Sequence, residues 1–204
     1  MMPVMNHTAE ESAAPRLSAG RPPERLALPG GLALRRRGTA DAAAVNETVI
    51  RNLEHLRPWM EWAKSAPSLA RTTEMTQLGR QAWEDGTDYL FVVDRESAPG
   101  GVLGMFGLHS RVGPGALEIG YWVDAAHTGR GIATAGAAAL TAAALALPGI
   151  ERVEIHCDEA NLASAAVPRK LGYRLDRIRD AGITAPAETG RKMIWVTDRP
   201  VSAA

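Results

Sequence analysis

The sequence predicts a single mixed α/β domain of the α+β type, built on a central, mostly antiparallel, twisted sheet of about six or seven strands flanked by helices. Three observations carry this expectation. The apolar spacing is helical from Asp41 to about residue 56 and again over about 68–84, then turns strand-like at Tyr89. Three strand-like runs, at 89–93, 102–109 and 116–123, then follow one another with only turn residues between them, a meander whose neighbours run antiparallel. The last of these runs leads through a short Gly/Arg loop into an alanine-rich helix and on to Val153-Glu-Ile-His-Cys157, a strand–helix–strand unit.

The elements follow in order. Residues 1–24 are rich in Ala, Ser, Glu and Pro, lack periodicity, and are expected to form a mobile extension. The domain is expected over 25–199, with a short tail at 200–204. It opens with Arg25-Leu-Ala-Leu and Leu32-Ala-Leu-Arg, which alternate like strands around Pro29-Gly30-Gly31. Thr39-Ala-Asp41 offers an N-cap for a helix to about residue 56, with Val45, Val49, Leu53 and Leu56 at helical spacing. Pro58 and Pro67 bracket an aromatic stretch containing Trp59 and Trp62. A second helix, over about 68–84, carries Leu69, Met75, Leu78 and Trp83.

The continuous apolar run at 89–93 suits a strand covered on both faces. Pro99-Gly100-Gly101 and Gly113-Pro-Gly115 are turns. The helix over 133–147 can lie close on a sheet because its side chains are small, and alanine keeps its helix propensity high. A short helix over 161–170 is stopped by Gly172. Strands near 173–179 and 192–197 close the chain around a loop at 184–190.

Composition narrows the function. A chain of 204 residues is long enough for one domain with a real core. Its formal net charge is zero, so no overall field draws it to nucleic acid or to an acidic membrane, and an anionic ligand needs a local site. The single cysteine, Cys157, rules out an internal disulfide framework and a cysteine-only metal site. No His-and-carboxylate spacing suggests a metal site either, so none is expected. No apolar run approaches the ~18 residues of a membrane span. The N-terminus lacks the basic and apolar regions of a secretory signal, so a cytoplasmic location is expected.

The local site is His127-Thr-Gly-Arg-Gly-Ile-Ala-Thr134, which lies between a strand and a helix start. Loop N–H groups and the helix dipole converge there, the glycines let the backbone approach a ligand, and Arg130 adds positive charge. A phosphate or pyrophosphate group is expected at this point. The motif lacks the Gly-Lys-Ser/Thr ending of a P-loop and the three-glycine spacing of a dinucleotide fold, which ranks an unrelated nucleotide binder last.

Four segments occur in a telling order: Leu56-Arg-Pro-Trp-Met-Glu-Trp62, Glu118-Ile-Gly-Tyr-Trp122, Gly129-Arg-Gly-Ile-Ala133, and Asn161-Leu-Ala-Ser164 followed by Arg169-Lys-Leu-Gly-Tyr173. Over about residues 25–199 the chain thereby resembles the GNAT family of acetyl-CoA-dependent N-acetyltransferases. Within that family it looks most like the branch of bacterial ribosomal-protein N-terminal acetyltransferases. The resemblance implies a sheet that opens in a V, acetyl-CoA as co-substrate, and a monomer or homodimer. It implies transfer of acetyl to a primary amine by direct attack in a ternary complex, the acceptor being a protein N-terminus or a small molecule.

The same resemblance implies the site residues. The family's diphosphate loop falls on Thr128-Gly-Arg-Gly131-Ile-Ala133, with Thr128 where Gln or Arg is usual. The N–H groups of Gly129, Arg130, Gly131, Ile132, Ala133 and Thr134 would hold the diphosphate, while Arg130's side chain either touches phosphate or points to solvent. The backbone of Tyr121, Trp122 and Val123 would polarise the thioester, and Asn161 would contact the pantetheine arm as well as cap its helix. Glu118 is either the general base, acting through water, or an ordinary strand carboxylate. Ser164 is either the partner of the leaving thiolate or a plain helix-surface serine; the tyrosine many members use falls on Pro168 here. Trp59 and Trp62 line the acceptor mouth or belong to the core. The stretch at 183–191 is richer in Pro and Ala than a ribosomal acceptor site leads one to expect. A non-catalytic coenzyme A-binding or sensor module is the alternative of a different class.

Overall fold

The computed structural model describes residues 20–201. Residues 1–19 of the expected extension and 202–204 of the expected tail lie outside the described residues. Residues 20–24 run along the domain: the Arg21 guanidinium donates to the Trp83 and Glu84 carbonyls at 3.3 and 2.8 Å.

The elements are β1 (Arg25–Leu28), β2 (Leu32–Arg36), α1 (Ala42–Arg51), α2 (Leu53–Leu56), α3 (Leu69–Asp85), β3 (Asp88–Arg95), β4 (Gly104–His109), β5 (Ala116–Val123), α4 (Ile132–Leu145), β6 (Arg152–Asp158), α5 (Leu162–Lys170), β7 (Arg174–Asp180) and β8 (Arg191–Thr197). All eight strands join one sheet in the order β1-β2-β3-β4-β5-β6-β8-β7, one or two strands more than expected. The additional width includes both edges. At one, β1 pairs with β2 around Gly30 and Gly31, whose φ values of 74° and 69° make the tight return. At the other, β7 pairs with β8, and every β7 side chain is exposed.

Two helices differ from expectation for local reasons. The helix expected to run unbroken to Leu56 is interrupted at Asn52, which is buried. Its side-chain amide donates to the Thr48 carbonyl and its Oδ1 accepts from Ala125 N–H, both at 2.8 Å, so the side chain competes with the helix and ties it to a distant loop. Asp41 enters a 3₁₀ turn before α1; its carboxylate accepts from Gly38 N–H at 2.7 Å and pairs with Arg35. On α3, Ser68 caps the start, but Leu69, Met75 and Leu78 are exposed, and only Trp83 of the four apolar residues reaches the core. Thr72 and Thr76 face inward instead, because α1 presents Asn46, whose amide donates to Thr72 Oγ1 at 2.9 Å.

Alternation along β5 divides the two faces. Leu117, Ile119 and Val123 share one core with Val153, Ile155 and the α4 residues Ala137, Leu140 and Ala144. Trp122, on the other face, joins Val45, Val49, Leu56 and Val92. A Cβ on Gly136 would sit 2.4 Å from the Phe106 ring, so the small residues of α4 are what let it lie against β4 and β5. Among the described residues no helix is long and apolar enough to cross a membrane.

The feature that positions the site is a fork. Strands β5 and β6 are the parallel pair in an otherwise antiparallel sheet, and they pair only at Ala116↔Arg152, Leu117↔Val153 and Glu118↔Glu154. Both strands then run on, held from outside by β4 and β8. The facing edges beyond residue 118 are left with backbone N–H and C=O groups that the other strand does not pair.

Candidate active site

A cavity of about 400 Å³ opens at the fork, a volume within the range of small-molecule sites. Tyr121, Trp122 and Val123 of β5 form one wall. The loop before α4 and its first turn, Thr128, Gly129, Gly131, Ile132, Ala133 and Thr134, form another, and Asn161 and Ser164 line the α5 side with Ala163, Val167 and Lys170. The structure thus brings together most of the residues the sequence singled out.

The loop leaves its backbone open to the cavity. Gly129 and Gly131 have φ of 72° and 79°, and a Cβ built on either would meet nothing within 4 Å, so open space lies in front of both. Gly131 is the N-cap of α4 and has no side chain to cap it. The first N–H groups of α4 have no partner within the helix and carry its positive dipole end. The loop is also rigidly placed. Asn52 holds Ala125, and Asp124 accepts from Arg51 of α1 and from Ala126 N–H. These observations fit the diphosphate of coenzyme A, which the open glycine backbone and uncapped helix start would hold, while the free strand edges would suit its amide-bearing arm.

Ser164 and Asn161 sit together on α5. Asn161 Oδ1 accepts from Ser164 N–H at 3.0 Å, so Asn161 caps its helix while lining the cavity. The Ser164 hydroxyl lies 3.2 Å from the Tyr121 hydroxyl. Trp59 lines the cavity along with His55, Leu56 and Met60, whereas Trp62 is 52% exposed and outside the lining. Arg130 is exposed and also outside it.

Glu118 lies at the last paired position before the fork, on the opposite face of β5 from Tyr121, and is not part of the cavity wall. Its carboxylate is bound by Arg111 through two hydrogen bonds of 2.8 and 2.7 Å. His156 Nδ1 stands 3.7 Å away, and its Nε2 faces Glu154 at 2.6 Å. Burial alone would push the Glu118 carboxyl up, but Arg111, reinforced by His156 and His109, holds it below its ordinary value of 4.5. The pair therefore stabilises the fold fully above pH 4.5, and that contribution is lost as pH falls through the lower folded-state value. Urea unfolding followed against pH is expected to show a shallower acid loss for Glu118→Gln than for the parent; superimposable profiles would contradict the pairing.

Sequence reasoning missed several lining residues. Ala163, Val167 and Lys170 are four and three residues apart, and Val167 follows Ser164 by three, a helical-face signal that was available. His55 and Met60 carried no such signal, since the break at Asn52 and the turn after α2 decide where they point. Arg111 sits just after β4, and the β4–β5 hairpin register, which pairs His109 with Glu118, brings it to Glu118.

Comparisons with known proteins bear on the family and the fold. Residues 32–174 match a family model described as an acetyltransferase (GNAT) domain. Over 139 residues, 65% of this chain and 72% of its relative, the sequence is 32% identical to YdaF of Bacillus subtilis strain 168, named as a ribosomal N-acetyltransferase. Among solved structures, the ribosomal L7/L12 α-N-protein acetyltransferase RimL, in complex with coenzyme A, superposes with a TM-score of 0.78 at 21% identity. That match covers 86% of this chain and 98% of RimL. The microcin C7 self-immunity acetyltransferase MccE, in complex with acetyl-CoA and AMP, gives 0.77 at 15% identity, covering 87% and 97%.

Proposed function

This chain belongs to the GNAT acetyltransferase family and is an acyltransferase, and from that premise we propose that it moves an acetyl group from acetyl-CoA to a primary amine by direct attack in a ternary complex. The observation that carries this reading is one cavity meeting both the unpaired edge of β5 beyond Glu118 and the uncapped start of α4. The diphosphate binds the N–H groups from Gly129 to Thr134, with Arg130 held at the solvent edge. Asn161 and the edges of β5 and β6 hold the pantetheine arm like a guest strand. Backbone N–H groups at Tyr121 to Val123 polarise the carbonyl under attack, and Ser164 protonates the departing thiolate.

The acceptor enters from the side of Trp59 and Trp62. Glu118 takes the acceptor's proton through water. Its pair with Arg111 keeps it anionic, so it favours an approaching ammonium by charge but is a weak base, and the amine's own loss of solvation must help. The acceptor class is a protein N-terminus or a small amine, the first supported by what YdaF and RimL are named for.

Thiol release from acetyl-CoA, measured with a panel of small amines and of peptides with free N-termini, tests the proposal. At least one acceptor is expected to turn over, and Ser164→Ala and Glu118→Gln are each expected to lower kcat about 100-fold. Tight coenzyme binding with no turnover on any acceptor, unchanged by either substitution, would identify a binding module instead.

A further inference from the structure

The Tyr121 side chain makes an arrangement that the family-derived roles do not use. Its ring stacks on Phe106, centroids 5.6 Å apart, on the α4 face of β5. From there its hydroxyl reaches α5, 3.1 Å from the Ser164 carbonyl oxygen and 3.2 Å from Ser164 Oγ. Pro168 explains why that carbonyl is available. In an α-helix the carbonyl of one residue accepts from the N–H four residues on. For Ser164 that residue is Pro168, which lies inside α5 and has no N–H. The phenol donates where the proline cannot. Ser164 is thus held from both sides, its N–H by Asn161 and its carbonyl by Tyr121.

We propose that Tyr121 is a positioning residue for Ser164: with Pro168 it aims the serine hydroxyl at the sulfur that leaves the acetyl group. This rests on the reading of Ser164 given above. The step balances. As the C–S bond breaks, its electron pair stays on sulfur and Ser164 gives sulfur its hydroxyl proton. In the same movement Ser164 takes up the second proton of the acceptor nitrogen, the one shed on becoming an amide; the first, from the ammonium, has gone through water to Glu118. The phenol keeps its own proton throughout, since burial raises its pKa above the ordinary tyrosine value and the Ser164 bond offsets this only in part.

The test uses acetyl-CoA with a short peptide bearing a free N-terminal serine, and acetyl-CoA with water as the only acceptor. Tyr121→Phe is expected to lower kcat about 10- to 100-fold in thiol release. Its KM for acetyl-CoA should stay within about threefold of the parent's. In a Ser164→Ala background it should cost nothing more. Pro168→Ala restores an N–H to the Ser164 carbonyl, so Tyr121→Phe/Pro168→Ala should regain the parent's thermal midpoint without regaining kcat. By calorimetry, the parent's preference for coenzyme A over desulfo-coenzyme A should vanish in Tyr121→Phe.

A Tyr121→Phe kcat within about twofold of the parent, or full recovery of kcat in the Pro168→Ala double variant, would overturn the inference. If Ser164→Ala is impaired and Tyr121→Phe is not, this inference alone fails. If Ser164→Ala is unimpaired, the serine assignment fails and this falls with it. No thiol release from the parent with any acceptor of the panel would overturn the proposed activity itself, and a desulfo-coenzyme A preference retained in Tyr121→Phe would then overturn this inference separately.

Discussion

Replacing Gly131 with Glu is expected to abolish coenzyme A binding while leaving a folded protein. Gly131 is the uncapped N-cap of α4 and faces open space, so a side chain there enters the cradle without striking the protein. Two costs add. A residue with a Cβ at φ 79° is strained, by about 1–2 kcal/mol. A carboxylate beside a diphosphate costs about 4 kcal/mol for unit charges 4 Å apart at an effective dielectric of 20, which is about a thousandfold in affinity. Gly131→Ala separates the two, because it carries the strain without the charge or most of the bulk. Calorimetry on both variants should therefore show a modest loss for alanine and no measurable binding for glutamate. Parent-like affinity in Gly131→Glu would remove the diphosphate from this loop.

Asp158→Ala should be the most destabilising of the simple truncations near the site. The carboxylate is 3% exposed, at the end of β6. It accepts from Ala160 N–H at 3.0 Å, from Thr189 N–H at 3.1 Å, from the Thr189 hydroxyl at 3.0 Å and from Gly190 N–H at 3.0 Å. Burial alone would raise its pKa, but these donors hold it below the ordinary aspartate value. Removing it strands several donors, at a cost of about 3–4 kcal/mol, which for a domain of this size is about 10 °C in the thermal midpoint. Asp158→Asn keeps one acceptor and should lose less.

Function should suffer as well. The loop Asp158 holds reaches across to the segment after α2, where Ala187 N–H donates to the Pro58 carbonyl at 3.0 Å. That bond ties the loop to the residue before Trp59, so loosening the loop should raise KM for the acceptor more than for acetyl-CoA. A midpoint shift of less than about 3 °C would show that Asp158 is not the clamp.

The backbone geometry of the proposed donor half was legible in the chain because it depends on local rules. A loop with glycines at positive φ, ahead of a helix whose start must stay uncapped, is a short-range arrangement, and residues 128–134 state it in order. Asn161 and Ser164 lie one helical turn apart, so their shared face could be counted. The strand runs were equally readable, although the expected sheet was narrower than the eight strands found. The α3 stripe misled, because apolar spacing alone cannot tell that α1 offers Asn46 to Thr72 and turns Leu69 and Leu78 outward.

The sequence by itself determined the α+β class, the meander, the glycine loop ahead of α4 and the family to which the chain belongs, since each rests on periodicity or on contiguous motif spacing. Only the tertiary structure decided how far β5 and β6 stay paired, that His156 of β6 stands beside Glu118, and that Tyr121 reaches Ser164 across 43 positions of chain. The physical reason is the same in each case. Pairing register, ion-pair partners and the donor that answers a proline's missing N–H are set by which elements meet in space, and no local pattern records that meeting.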